Sequence, residues 1–185
     1  MFSKSLKNRV MLLACMLVFL CMHSIASAME DLLPESRYTT LYSSYNHIDL
    51  VQEGYLNEAQ ISQFGYNNLI QAEQYGTDNR LDIVQRGTAN NLLAQQSGYG
   101  NQITASQFGL ENELELSQQG YENSIYTMQA GTLNYANIIQ SGYDNLAVVQ
   151  QFGYGNSATI EQYGTGHQAA ITQYGHNQIA VVKQY

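Results

Sequence analysis

The most regularly spaced polar side chains in this chain are carboxamides. Gln stands at Gln52, Gln63, Gln74, Gln85, Gln96, Gln107, Gln118, Gln129, Gln140, Gln151, Gln162, Gln173 and Gln184, always eleven residues apart. Asn forms a second column five positions later: Asn57, Asn68, Asn79, Asn90, Asn101, Asn112, Asn123, Asn134, Asn145 and Asn156. Asn46 is in phase ahead of them, and His167 and Gln178 take the last two places. A carboxamide offers two donors and an acceptor and carries no charge. It is a poor nucleophile and a poor base. What a series of them can do is hydrogen-bond to its own kind, as in the amide ladders of stacked β structure.

Residues suited to other chemistry are less ordered. Glu111, Glu113 and Glu115 alternate within one unit, but the acids as a whole are scattered over outward and turn positions. A catalytic site would gather them in a cleft, so they read as a solvated face. His47, His167 and His176 have no metal-ligand spacing, and His167 reads as a hydrogen-bonding substitute in the Asn column. The G-G-x-G-x-D calcium repeat is absent. An ice-binding solenoid would need a regular Thr array, whereas Thr77, Thr88, Thr132 and Thr165 share their places with Tyr. The expectation is a non-enzyme with no catalytic residue, metal site, cofactor or small-molecule substrate.

The elements that hold the amides follow from the residues between them. After each Asn the second residue is apolar in every unit, and the fourth in all but the unit with Thr127. N-x-φ-x-φ-x-Q, with φ an apolar residue, therefore places Asn, two apolar side chains and Gln on one face of a β-strand, where side chains alternate with period two. Counting Asn46-x-Ile48-x-Leu50-x-Gln52, thirteen such strands of seven residues are expected. The other four residues of each unit, x-G-x-x, would turn the chain. The turn glycines are Gly54, Gly65, Gly76, Gly87, Gly98, Gly109, Gly120, Gly131, Gly142, Gly153, Gly164 and Gly175, at a place where a tight reversal calls for positive φ. Identical turns put successive strands in two facing sheets. Each strand then pairs in parallel with the one 22 residues later, at a rise of about 4.8 Å. The fold class is all-β: a two-sheet parallel β-solenoid of stacked arches, about six and a half coils tall, and cross-β on assembly.

Pairs within the repeat agree with this register. Most units combine one large and one small inward residue, as Ile70 with Ala72 and Ala136 with Ile138, which keeps the core volume even. Glu58 lies one coil from Arg80, and Glu161 one coil from Lys183. Arg86 is placed to sit between Phe64 and Phe108. Tyr99, Tyr121 and Tyr143 would form a ladder at one turn.

Composition narrows the classes further. The chain has 185 residues, a formal charge of -8, 12% charged residues, one Pro and no Trp. An acidic chain lacks the basic face that nucleic acid requires, so no nucleic-acid partner is expected. Lys4, Lys7 and Arg9 precede an apolar run from Val10 to Met22 and then Ala26-Ser27-Ala28. This order reads as a secretory signal peptide over residues 1–28. Both cysteines, Cys15 and Cys21, fall inside it, so the exported chain would be held by burial and hydrogen bonds rather than disulfides. Residues 29–45 form a distinct leader with Tyr38, Tyr42, Tyr45 and the only Pro, and residues 46–185 form the repeat domain. In Ile179-Ala180-Val181-Val182 there is no proline or charge cluster of the kind that blocks a strand edge. A solenoid left open in this way is a fibre unit.

The unit Q-x-G-x-x-N-x-φ-x-φ-x-Q, running through residues 46–185, resembles the curlin repeat of bacterial curli fibres. The resemblance implies a secreted structural subunit of an extracellular functional amyloid, a component of surface fimbriae and biofilm matrix. Its partners would be other curlin subunits, a dedicated outer-membrane secretion pore and the pore's accessory proteins. Residues 29–45 would be the leader that targets that pore. Glycine at all twelve turns, with His167 and Gln178 at the end, resembles the minor subunit, the nucleator, more than the major one. The closing Gln184-Tyr185 suits a major subunit, and that alternative stands beside the first.

Overall fold

The computed structural model describes residues 45–185; the expected signal peptide and nearly all of the expected leader lie outside the described residues. The described part is all strand: β1 (His47–Tyr55), β2 (Glu58–Tyr66), β3 (Leu69–Thr77), β4 (Arg80–Thr88), β5 (Asn91–Tyr99), β6 (Gln102–Leu110), β7 (Glu113–Tyr121), β8 (Ser124–Thr132), β9 (Tyr135–Tyr143), β10 (Leu146–Tyr154), β11 (Ser157–Thr165), β12 (Gln168–His176) and β13 (Ile179–Gln184). Odd strands form a seven-stranded sheet and even strands a six-stranded one. All pairs are parallel, with each residue opposite the one 22 positions on, as Gln96 opposite Gln118. This is the expected two-sheet β-solenoid.

The strand faces are as the alternation requires. Ile70, Leu81, Leu92, Ile103, Leu114, Ile125 and Ile138 are fully enclosed between the sheets, together with the small residues Ala94, Ala136 and Ala147. An arch reverses the chain, so the second inward residue of one strand lies level with the first of the next. Ala94 thus comes level with Ile103 and Ile138 with Ala147, large against small, whereas Ile83 comes level with Leu92 and Leu116 with Ile125, large against large. The first and last coils close less completely, and Ile48, Leu50, Ala169, Ala180 and Val182 are only partly covered.

Two features differ from the seven-plus-four division of the repeat. All strands but β13 are nine residues long, because ladder pairing continues through the glycine. The chain reverses one step later. There the residue two after each glycine takes a left-handed conformation, as at Leu56, Ala89, Glu111, Glu122 and Leu133 with φ between 52° and 59°. Even this corner keeps its backbone bonds from coil to coil: Leu133 N–H donates to the Leu110 carbonyl at 3.0 Å. Continuous stacking explains how non-glycine residues are held in a conformation that costs roughly 1–2 kcal/mol each.

Thr127 is the flaw in the core. It occupies the inward place held elsewhere by an aliphatic residue, is 6% exposed, and its Oγ1 has no hydrogen-bond partner. Thr127→Val keeps the shape and removes the stranded hydroxyl. It should stabilise the chain by about 1–3 kcal/mol, read as a higher guanidinium midpoint for dissolution of the assembled protein. A lower midpoint would mean the hydroxyl is bonded. Ala147→Asp, which buries a charge at a fully enclosed site, should abolish fibre formation in a dye-binding assay. Val148→Asp, one residue away on the outward face, should still give fibres. The reverse ranking would refute the strand phase.

Candidate functional site

Three kinds of residue recur along the coils: the Gln and Asn amides, which bond from coil to coil, and the turn glycines. The Gln amides run as a ladder along each sheet. Gln96 Nε2 donates to Gln118 Oε1 at 2.9 Å, and Gln118 Nε2 to Gln140 Oε1 at 2.9 Å. On the six-stranded sheet, Gln85 donates to Gln107 at 2.7 Å and Gln107 to Gln129 at 3.1 Å. From Gln63 to Gln162 the second N–H of each amide crosses the core to the facing sheet, as Gln96 Nε2 to the Arg80 carbonyl at 3.1 Å and Gln118 Nε2 to the Gln102 carbonyl at 3.0 Å. Each of these Gln residues therefore ties coil to coil and sheet to sheet at once. Buried as they are, these amides would be costly without partners.

The Asn ladders run with the opposite polarity. Asn101 Nδ2 donates back to Asn79 Oδ1 at 3.0 Å, and Asn101 N–H donates to the same oxygen at 3.2 Å. The other Nδ2 proton goes forward to the Gly120 carbonyl at 2.9 Å. The same set recurs one coil later, where Asn123 donates to Asn101 Oδ1 and to the Gly142 carbonyl.

That bond locates the third component. The turn glycines have φ between 113° and 138°, a region L side chains avoid. A Cβ built on Gly98 would collide with the carbonyl oxygen of Gly120 in the next coil. Glycine serves here both conformation and clearance, and the carbonyl that needs the clearance is the one the Asn column bonds. Sequence reasoning found the first role and missed the second.

The expected site residues thus come together as continuous columns, with departures at both ends. At residue 167 the backbone N–H still donates to Asn145 Oδ1, at 3.0 Å, while the imidazole lies against Gly164. Gln178 N–H likewise bonds Asn156 Oδ1, but its side chain turns to the Tyr174 carbonyl at 2.9 Å. Both substitutions keep the main-chain bond and end the side-chain ladder. At the other end, Gln63 is 1% exposed, and among the described residues its Oε1 accepts nothing.

On the outside, Glu58 and Asp82 both bond Arg80, and Glu161 bonds Lys183 at 2.9 Å. Arg86 lies over Phe64, its guanidinium carbon 5.2 Å from the ring centre. The expected two-sided sandwich is one-sided: the planar group stacks toward Phe64 and makes no such contact with Phe108. Tyr99, Tyr121 and Tyr143 do share one turn column in register. Stacked rings occur further along, at Phe152–Tyr174 and Tyr163–Tyr185, with centroids 5.1 Å and 5.7 Å apart. Glu115 accepts from the Tyr135 hydroxyl at 2.9 Å; burial first, and then this bond, raise the phenol above its usual pKa. Among the described residues no group of three or more His, Cys, Asp or Glu could hold a metal ion.

A search of curated proteins finds no match. The family model for the Curlin associated repeat matches residues 46–76, 76–109, 109–142, 131–164 and 153–185. These matches run through every strand and ladder described above. The chain belongs to the Curlin associated repeat family, a family of structural, fibre-forming repeats rather than of enzymes.

Proposed function

We infer that this chain is the surface nucleator of an extracellular curli-type amyloid, a subunit that templates polymerisation of a major curlin. The observation that carries the fibre reading is the open ladder. Within the described residues, the outer edges of β1, β2, β12 and β13 pair with no further strand, and Ile48, Leu50, Ala59, Ala169, Ala180 and Val182 of these strands are only partly covered. Such edges template the addition of matching strands, and a curlin coil with the same 11-residue spacing brings Gln, Asn and glycine to matching heights.

Nucleator rank is supported by the uniform turns and by the ends of the Asn columns. Every turn carries the glycine whose carbonyl an Asn can bond, and His167 and Gln178 stop the side-chain ladder. The last coils thus differ chemically from the stacking coils before them, as a segment used for attachment would. One observation favours the major subunit instead: Gln162 Nε2 donates to Gln184 Oε1 at 2.8 Å, so the Gln ladder continues past the point where the Asn ladder ends. The path is export by residues 1–28, passage through an outer-membrane pore with its accessory proteins guided by residues 29–45, and assembly at the cell surface.

A chain ending at Glu161 tests the rank. Purified, it should still form cross-β fibres. In cells it should be shed into the medium, and the partner subunit should lose detergent-resistant surface polymer. If the shortened chain stays on the cell and the partner polymerises normally, this chain is not the nucleator.

A further inference from the structure

The two outward faces of the solenoid differ in charge. On the six-stranded sheet the outward acids and bases are Glu58 in β2 and Arg80, Asp82 and Arg86 in β4, two of each sign, with Arg80 paired to both acids. The remaining strands of that sheet, β6, β8, β10 and β12, carry no Asp, Glu, Lys or Arg at all. The seven-stranded sheet instead faces out with Asp49, Glu53, Glu73, Glu113, Glu115 and Glu161 against Lys183 alone. At the centre of the uncharged face, Tyr126, Met128 and Ala130 of β8 lie in register beside Val148, Gln150 and Phe152 of β10. Tyr126 and Met128 are exposed, and a contiguous patch of this kind marks an interaction surface.

We propose that the uncharged face docks a second copy of this chain, like face against like face, so that assembled solenoids run side by side in pairs. The inference rests on the reading of the chain as a fibre subunit. Charge decides which faces can meet. Two seven-stranded faces would oppose carboxylate to carboxylate, which is repulsive. A seven-stranded face against a six-stranded one would strip water from those carboxylates and set them against Tyr, Met and Val, with no countercharge. Only the six-stranded face against its own copy buries no net charge. Once residues 1–28 are removed, four bases (Arg37, Arg80, Arg86 and Lys183) face fifteen acids, so contacts through the other faces meet like charge.

Area decides when they meet. Four nine-residue strands about 4.8 Å apart, each about 30 Å long, present roughly 570 Å² on each copy. The pair then buries about 1,100 Å², barely above the ~1,000 Å² that a specific interface needs. Two single chains therefore pair weakly. Pairing becomes firm on polymerisation, when coil upon coil repeats the same face along the fibre.

The test is the mass per unit length of fibres grown from the purified full chain, measured by scanning transmission electron microscopy at low salt. Wild-type fibres should have twice the value of a single solenoid. Val148→Lys should halve it. Gln150→Lys, which removes no apolar contact, should do the same, with polymerisation kinetics unchanged. Ile139→Lys, outward on the opposite sheet in β9, should leave it doubled. About 1 M salt, where the screening length falls to about 3 Å, should restore the doubled value in both face variants. An unchanged mass per length in both face variants, or an equal fall in Ile139→Lys, would overturn the proposal. A wild-type chain that forms no cross-β fibre would instead overturn the fibre-subunit reading, and the pairing with it.

Discussion

A buried carboxamide must find partners for two donors and an acceptor, and in this molecule that requirement fixes the geometry of everything else. Gln107 and Asn112 are almost completely enclosed, and an amide left unpaired there would cost a few kcal/mol. The partner that satisfies each is the same residue type 22 positions away. A register shift of one residue would turn the amides outward and the polar outer face inward. A shift of two would set amides against aliphatic side chains. The ladders therefore select one register out of many that parallel strands of uniform length could adopt. The apolar residues between them supply burial but little choice: Ile, Leu, Val and Ala all occur in the inward columns.

The opposed polarity of the ladders adds a second constraint. Gln donates toward the C-terminal coil and Asn toward the N-terminal one, while the spare proton of each goes to backbone: across the core for Gln, to the next glycine for Asn. Each coil is thus bonded to both neighbours by side chains as well as by its sheets. Each glycine carbonyl can act as acceptor because no Cβ occupies the space below it. Removing the glycine would therefore disturb the Asn column as well as the turn.

The period of eleven and the alternation of two were enough to derive the two sheets, the parallel order, the 22-residue register and the identity of each inward residue. They could be read because burial acts on every strand in the same way, and thirteen repetitions left only one phase consistent with all. What could not be read has a common cause: it depends on backbone rather than side-chain pattern. The left-handed corner falls on Asn67, Asp78, Gly100, Asp144, Gly155, Gly166 and Asn177, which suit it, but also on Leu56, Ala89, Glu111, Glu122 and Leu133, so composition marks it only in part. Strand pairing runs past the glycine because the ladder bonds do not depend on the side chain. The direction of each amide ladder is likewise invisible in a column of identical letters. Arg86 shows the limit of spacing arguments on the outside, where a long side chain with equal neighbours on both sides stacks on one of them.

The functional reading follows from the same interaction. Ladders that satisfy each coil through its neighbours leave the outermost coils unfinished, and Gln63 Oε1 is an acceptor already enclosed and still unpaired among the described residues. The central claim is that successive layers of the fibre are successive coils of one chain. It is tested most directly by solid-state NMR on assembled protein labelled at the Gln side chains and diluted into unlabelled chain. A Gln118 15Nε2 to Gln140 13Cδ separation of about 4 Å is expected from their hydrogen bond, and it should persist at full strength on dilution. Contact of Gln118 with Gln118 of another molecule, fading as the label is diluted, would mean that each chain contributes a single layer, and would contradict the solenoid.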